Sequence, residues 1–171
     1  MDECIEIKIE FDTPVSTYVE QIMKLKSTPR ILEELITGIP EKILSKKPRA
    51  GWSIKETAGH LLSADNQFID GLEDYENRLE ELRPSDMTYQ STEEMDYNTL
   101  NIDEMFIKFK KRRNAYIGRL AKHQPEFFGI AAWHPRLEKS MRVSDMLFFQ
   151  VEHDEHHLNR IRELLTNFNS D

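Results

Sequence analysis

The sequence predicts an all-α fold, a four-helix bundle, from two observations. The seven prolines leave three long proline-free stretches, 49–83, 85–124 and 136–171, each long enough for one helix of a bundle. Proline avoids helix interiors because it lacks a backbone N–H and its ring clashes with the preceding turn. Within these stretches, apolar residues recur at the spacing that places them on one face of a helix. The prolines therefore mark the boundaries between the predicted helices.

The first two helices are delimited by different signals. The first is predicted over about 14–37, where Pro29 either kinks the helix or begins a second segment. The second has the clearest start, because Ser53 followed three residues later by Glu56 forms a capping box. In that motif each of the two side chains satisfies a free backbone N–H of the first turn. The second helix is predicted to continue to about Glu81, shortly before a proline.

The third and fourth helices are predicted from their apolar faces, with a long polar connection before them. Residues 84–101 are rich in Ser, Thr, Asp and Asn, which is typical of a connection rather than a helix. The third helix follows and is marked by Ile102, Phe106, Phe109, Ile117 and Leu120. The fourth starts near Ser144 and carries Leu147, Val151, Leu158, Ile161, Leu165 and Phe168. Together the four amphipathic helices predict a bundle around a shared apolar core.

The amino-terminal residues follow a different pattern. Four apolar residues alternate with charged ones, at the period of a β-strand: Ile5, Ile7, Ile9 and Phe11. A single strand needs a partner, so this segment either pairs across a dimer or packs as an extended arm. An amphipathic tail lying over the bundle is the alternative. We therefore predict an extended arm over 1–12 and one four-helix bundle domain over 13–171.

Composition and charge argue against several classes of protein. The 171 residues carry a formal net charge of −8, which argues against general binding to nucleic acid or to anionic membranes. No apolar stretch approaches the roughly 18 residues that a membrane span requires. No basic and apolar leader follows Met1, and the single cysteine, Cys4, cannot form an internal disulfide. These observations predict a cytoplasmic protein without nucleic-acid or membrane partners.

The histidines are the main candidates for a functional site. His153 and His157 are four residues apart on the predicted fourth helix, so both point the same way and together could bind one metal ion. At about 100° per residue, both lie on one shoulder of the apolar stripe, whereas His156 lies opposite the stripe and faces solvent. His60 occupies the matching shoulder of the second helix. It is the best candidate for a third ligand, since bundle metal sites use side chains on facing helices.

Other interpretations of the histidine cluster are a solvated polar shoulder and two known kinds of metal site. The neighbouring acidic residues Glu152, Asp154 and Glu155 are consistent with a solvated shoulder. The zinc-protease motif H-E-x-x-H is set aside because Asp154 stands where that mechanism requires a glutamate base. A di-iron carboxylate site is set aside because the sequence contains no Glu-x-x-His motif.

Two groups of residues resemble the DinB-like superfamily. The first is residues 51–56 (GWSIKE) followed by His60 and Leu61, which is similar to the start of the metal-site helix of that superfamily. The second is the series His134-Pro135, Ser140, Val143-Ser144, His153 and His157. The resemblance implies an up-down-down-up four-helix bundle that often forms homodimers. It also implies a divalent metal ion held by three histidines, here His60, His153 and His157.

A site of three imidazoles predicts an enzyme, because it leaves a coordination position open on the metal ion. Water bound there would become a hydroxide nucleophile, and a low-molecular-weight thiol would be delivered as thiolate. The resemblance likewise implies a metal-dependent hydrolase or a thiol-S-transferase, acting here on a small molecule. Zinc or nickel is the expected ion, and a low-molecular-weight thiol is the candidate cosubstrate. The alternative is a non-catalytic dimeric bundle, a binding or stress-response protein whose metal is structural or absent.

Three further residues are candidates for the surroundings of the site. Trp52 is predicted to pack as a hydrophobic staple or core residue, or to form a pocket wall. Asp65 lies near the middle of an apolar stripe, so it pairs with a buried arginine or a backbone donor, or orients a metal-binding histidine. His134 lines a pocket mouth or caps a loop. The basic run 108–113 is predicted to be a solvated helix face, with an anion-binding patch as the alternative.

Overall fold

Four long helices make up most of the part of the chain that the structure describes. A computed structural model describes residue 11 and residues 13–84 and 94–168. The helices are α1 (Tyr18–Ile36), α2 (Glu41–Leu44), α3 (Ile54–Glu76), α4 (Ile102–Leu120) and α5 (Val143–Phe168), of which α2 is a single short turn. Helix α1 packs against α4 and α5, and α3 packs against the same two helices. The predicted all-α four-helix bundle is therefore confirmed.

Two predicted segments lie partly outside the described residues. Of the predicted arm over 1–12, only Phe11 is described, so strand pairing or a dimer contact by this arm stays a prediction. Residues 85–93 of the predicted connection also lie outside, and the described remainder contains a turn of 3-10 helix, Tyr97–Thr99. In the described part of the chain, no helix combines the length and the apolar character needed to cross a membrane.

Helix α3 begins as predicted and ends earlier. The backbone N–H of Glu56 donates to the Ser53 hydroxyl at 3.1 Å, and the Ser53 N–H donates to the Glu56 carboxylate at 2.8 Å. The predicted capping box is therefore present. The helix ends at Glu76 rather than near Glu81, because Arg78 adopts the left-handed backbone conformation, with a φ of 58°, and turns the chain away from the helix axis.

A β-hairpin, which was not predicted from the sequence, forms hydrogen bonds with the residues that follow α3. Strands β1 (Ala131–His134) and β2 (Lys139–Arg142) pair antiparallel. On the other edge of β1, the Trp133 carbonyl accepts the N–H of Leu82 at 2.9 Å, and the Trp133 N–H donates to Glu80 at 2.8 Å. The early end of α3 thus lets these backbone groups pair with the hairpin. Strands of four residues are too short for their alternation to stand out in the sequence.

Pro29 lies inside a continuous α1, so the alternative that it begins a second segment is wrong. A proline has no N–H to donate to the carbonyl four residues earlier, which here belongs to Leu25. That carbonyl instead accepts a hydrogen bond from Nη1 of Arg113 at 2.9 Å. The proline that interrupts the hydrogen bonds of α1 therefore leaves an acceptor for a side chain of α4.

Arg113 is the centre of a buried polar network that joins all four long helices. Its guanidinium donates to Asp65 of α3 and to Asp154 of α5, with a closest N–O distance of 2.6 Å in each pair. Thr28 of α1 donates to Asp154 at 2.9 Å. The Arg113 side chain has no exposed surface, so the prediction that the whole run 108–113 is a solvated face is wrong at this residue.

Gly59 of α3 is expected not to tolerate alanine. A Cβ atom at this position would lie 2.3 Å from the ring of the buried Tyr97. We expect Gly59→Ala to destabilise the protein by about 1–3 kcal/mol through overpacking, as measured by thermal unfolding. The control is Gly118→Ala on α4, where no atom lies within 4 Å of the added Cβ; it should stabilise the protein by about 0.4–1 kcal/mol. Equal unfolding temperatures for the two variants would contradict the close packing of Tyr97.

Candidate metal centre

Three histidines from two helices converge where α3 packs against α5. His60 of α3 and His153 and His157 of α5 each offer a ring nitrogen, and these three nitrogens all lie within 4.8 Å of one another. The Nε2 atoms of His60 and His153 are 2.9 Å apart. The ring centroid of His157 lies 4.5 Å from that of His60 and 4.6 Å from that of His153. The structure thus brings together the three residues proposed as ligands from the sequence.

Burial follows the positions of these histidines around their helices. His157 is 5% exposed, and His60 and His153 are half-buried. One turn of helix separates His153 from His157, so their side chains leave α5 on the same side. His156 lies between them in the sequence and is exposed, which confirms its predicted solvent-facing position. The cluster therefore consists of histidines at the edges of the buried faces of α3 and α5.

The surroundings keep two of these imidazoles neutral. Burial, with repulsion from His153 as the second cause, lowers the pKa of His60 to about 3. Burial, followed by repulsion from His153 and His60, holds the pKa of His157 far below its usual range. A neutral imidazole carries the lone pair that coordinates a metal ion. Both rings are therefore in the protonation state of a metal ligand at neutral pH.

The nitrogen spacing fits a single divalent ion. Zinc–nitrogen distances are about 2.0–2.1 Å, so two nitrogen ligands in a tetrahedral arrangement stand roughly 3.3 Å apart. The 2.9 Å between the nitrogens of His60 and His153 and the 4.8 Å limit for all three nitrogens bracket that value. Imidazole donors suit zinc, nickel, copper or iron, whereas magnesium and calcium prefer oxygen ligands.

The carboxylate beside the cluster belongs to Asp154 rather than to Asp65. Oδ1 of Asp154 is 3.7 Å from Nδ1 of His153, whereas Asp65 is paired with the buried Arg113. Although burial acts to raise it, the charge of Arg113 holds the pKa of Asp154 below its usual value, so this carboxylate is ionised. At 3.7 Å the carboxylate is beyond hydrogen-bonding distance of Nδ1, so it acts on His153 through its charge.

The prediction that Asp154 belongs to a solvated shoulder is wrong, because this side chain is buried. The sequence contains a signal for its burial. The rotation of about 100° per residue that places the histidines on a shoulder also places Asp154 within roughly 20° of the middle of the apolar stripe. The structure shows this residue 3% exposed. A charged side chain at a predicted core position, directly between two candidate ligands, was the sign that it has a partner in the interior.

Trp52 and His134 take different places. The ring centroid of Trp52 lies 4.8 Å from that of His60 and 6.2 Å from that of His157, so this ring packs beside the cluster. His134 ends β1, and its Nδ1 accepts the N–H of Leu137 at 3.2 Å. It also lines a cavity beside the hairpin. His134 thus caps the turn after β1 and lines this cavity, and it is not one of the three converging histidines.

The chain resembles three solved structures along most of its length. YfiT from Bacillus subtilis, described as a probable metal-dependent hydrolase with an unusual four-helix bundle topology, shares 18% identity, with a TM-score of 0.81 over 95% of this chain and 93% of that one. A protein from Streptococcus pneumoniae shares 17% identity, with a TM-score of 0.70 over 87% and 90%. An uncharacterized protein from Clostridium difficile 630 shares 16% identity, with a TM-score of 0.69 over 87% and 95%. At these identities the likeness shows the fold alone.

The family is shown by the sequence itself. No match was found among curated proteins. The sequence profile of the DinB superfamily, however, matches residues 24–161, a range that begins within α1 and ends within α5. That range includes His60, His153 and His157, together with Arg113 and its two carboxylate partners. The chain therefore belongs to the DinB superfamily.

Proposed function

We propose that this protein is a metal-dependent hydrolase that acts on a small molecule, with His60, His153 and His157 holding one divalent ion. The observation that carries the proposal is the convergence of three ring nitrogens within 4.8 Å of one another. The description of the fold relative YfiT as a probable metal-dependent hydrolase supports it. Zinc or nickel is the ion proposed, because the donors are imidazole nitrogens.

A divalent ion with three protein ligands keeps one position open for water and lowers the pKa of that water to about 7. The residues of the chain supply the surroundings that this chemistry needs. Neutral His60 and His157 present lone pairs as ligands. Asp154 places a negative charge 3.7 Å from Nδ1 of His153, which favours the positive charge of a bound ion. The ring of Trp52 packs beside the cluster, next to His60 and His157.

The thiol-S-transferase considered from the sequence would need the same three histidines, with a low-molecular-weight thiol as the nucleophile. Assays with and without such a thiol separate the two reactions, because hydrolysis proceeds in its absence and transfer requires it. The homodimer and the cytoplasmic location also stay predictions. Analytical ultracentrifugation tests the first and cell fractionation the second.

Metal loading tests the proposed hydrolase. Protein stripped with a chelator and reloaded with zinc or nickel is expected to retain one ion per chain by elemental analysis. It should also hydrolyse 4-nitrophenyl acetate faster than the stripped protein does. The matched control is His156→Ala, because His156 is exposed and adjacent to the cluster; this variant should keep both the metal and the activity. Failure of the reloaded wild-type protein to retain metal would refute the proposal.

A further inference from the structure

An apolar cavity of about 220 Å³ lies next to the histidine cluster. Helices α3 and α5, the hairpin and the residues just after α3 contribute to its lining. The apolar part of the lining consists of Phe68, Leu82, Met141, Met146 and Phe149, with Gly71 and Pro84. The ring centroid of Phe68 is 6.1 Å from that of Phe149 and 5.9 Å from that of His153. The cavity therefore adjoins the histidines across the ring of Phe68.

The polar side chains of the lining do not favour an anionic ligand. Arg83, the one cation among the described residues of the lining, is engaged by three carboxylates, those of Asp70, Glu73 and Asp74. His134 accepts the N–H of Leu137 on Nδ1, so its proton lies on Nε2. Burial lowers the pKa of His134, which keeps this ring neutral. The lining therefore offers a neutral hydrogen-bond donor beside an apolar surface.

Gly71 of α3 keeps part of this volume open. Glycine in a helix interior destabilises the helix relative to alanine. At Gly71, the atom that an added Cβ would meet within 4 Å is the flexible Sδ of Met146, at 3.1 Å. Close packing of backbones therefore does not account for glycine at this position. The consequence of the missing side chain is a larger cavity.

We propose that this cavity binds the apolar part of the substrate, which is an aromatic or short branched-alkyl group. The substrate is a compact uncharged molecule that also carries one hydrogen-bond acceptor for His134. An apolar protein cavity of about 150 Å³ holds one benzene ring. A cavity of about 220 Å³ therefore accommodates a single substituted ring. This substrate class rests on the proposed function, because the hydrolysable group would lie on the histidine side of Phe68. Binding of the apolar part in the cavity needs no metal ion, so it is tested separately.

The probe is 4-fluorobenzamide, followed by fluorine NMR with metal-free and with zinc-loaded protein. The wild-type protein is expected to bind it with a Kd on the order of 1 mM in both states, as suits a ligand of about ten non-hydrogen atoms. Gly71→Val fills part of the cavity and should weaken binding at least about tenfold. His134→Ala should weaken it roughly threefold to tenfold, the effect of losing one hydrogen bond. His60→Ala should bind as the wild type does, because His60 is not in the lining.

The matched control is Gly118→Val on the exposed side of α4, where an added Cβ meets no atom within 4 Å. It makes the same exchange within a helix and should bind the probe as the wild type does. Unchanged binding by folded Gly71→Val, or loss of binding in His60→Ala, would overturn the proposal. If circular dichroism shows that Gly71→Val is unfolded, Gln67→Trp, at a half-buried lining residue, replaces it with the same expected loss.

The two proposals fail in different ways. Probe binding by protein that retains no metal would refute the hydrolase and support the cavity as a binding site. Stoichiometric metal in protein that does not bind the probe would refute the cavity and leave the hydrolase standing. Metal-free protein is the sample that separates them, because the cavity lining contains none of the three converging histidines.

Discussion

Replacing His157 with alanine is expected to lower the affinity for zinc by more than about 100-fold, because loss of a residue that merely orients a ligand already costs about 10–100-fold. His157 is the most buried of the three histidines, at 5% exposed, and its ring lies against both His60 and His153. Alanine at this position leaves an empty space and provides no nitrogen atom to coordinate the ion. Isothermal titration of stripped protein with zinc measures the change.

Metal-dependent stability gives a second measurement of the same variant. An ion at about 100 times its Kd stabilises the native state by about 2.7 kcal/mol, which for a domain of this size raises Tm by roughly 5–10 °C. We expect this rise for the wild type and for His156→Ala, whose replaced side chain is exposed. We expect a rise of at most about 2 °C for His157→Ala at the same zinc concentration, because zinc then stands at or below its Kd. An equal rise in both variants would contradict the role of His157 as a ligand.

Replacing Arg113 with methionine is expected to destabilise the protein by about 3–5 kcal/mol, the cost of breaking a buried ion pair from one side. The variant keeps most of the side-chain length but removes the cation between Asp65 and Asp154. These carboxylates are 1% and 3% exposed, so water does not replace the lost hydrogen bonds. The carbonyl of Leu25, freed by Pro29, loses its donor as well. Urea unfolding measures the loss.

Two further variants test whether burial of the Arg113 ion pairs is the cause of the large loss of stability. Arg30→Ala removes an ion pair between α1 residues whose side chains are 65% and 61% exposed. Because such pairs contribute about 0.3–0.5 kcal/mol, this variant should lose no more stability than that. The triple variant Arg113→Met/Asp65→Leu/Asp154→Leu should recover much of the loss, because apolar replacement of a whole buried ionic group is often neutral. A cost below about 1 kcal/mol for Arg113→Met would contradict the central role of this network.

The predictable part of the fold is the part encoded by neighbouring residues. Ser53 and Glu56 form their capping box within one turn, so the start of α3 was predicted correctly. The end of α3 was predicted too late, because the chain that turns away at Arg78 pairs with a distant segment. The backbone of Trp133 forms hydrogen bonds with Glu80 and Leu82 there. The hairpin was missed for the related reason that strands of four residues carry little pattern of their own.

The candidate site also has a part that the sequence predicts and a part that it does not. The positions of His153 and His157 on one shoulder of α5 follow from helical rotation, and so does the solvent-facing position of His156. The choice of His60 as their partner came from its matching shoulder and from the family pattern. The distance of 2.9 Å between His60 and His153 comes from the packing of α3 against α5.

By itself, the sequence determined the four long helices and the faces on which the histidines lie, because apolar periodicity and helix capping act over a few residues. Only the tertiary structure decided that Arg113 bridges Asp65 and Asp154 and that it takes the carbonyl of Leu25. These partners are 48, 41 and 88 residues away from Arg113 in the sequence. Burial raises the cost of an unpaired charge, and which charges meet in the interior depends on how all four helices pack together.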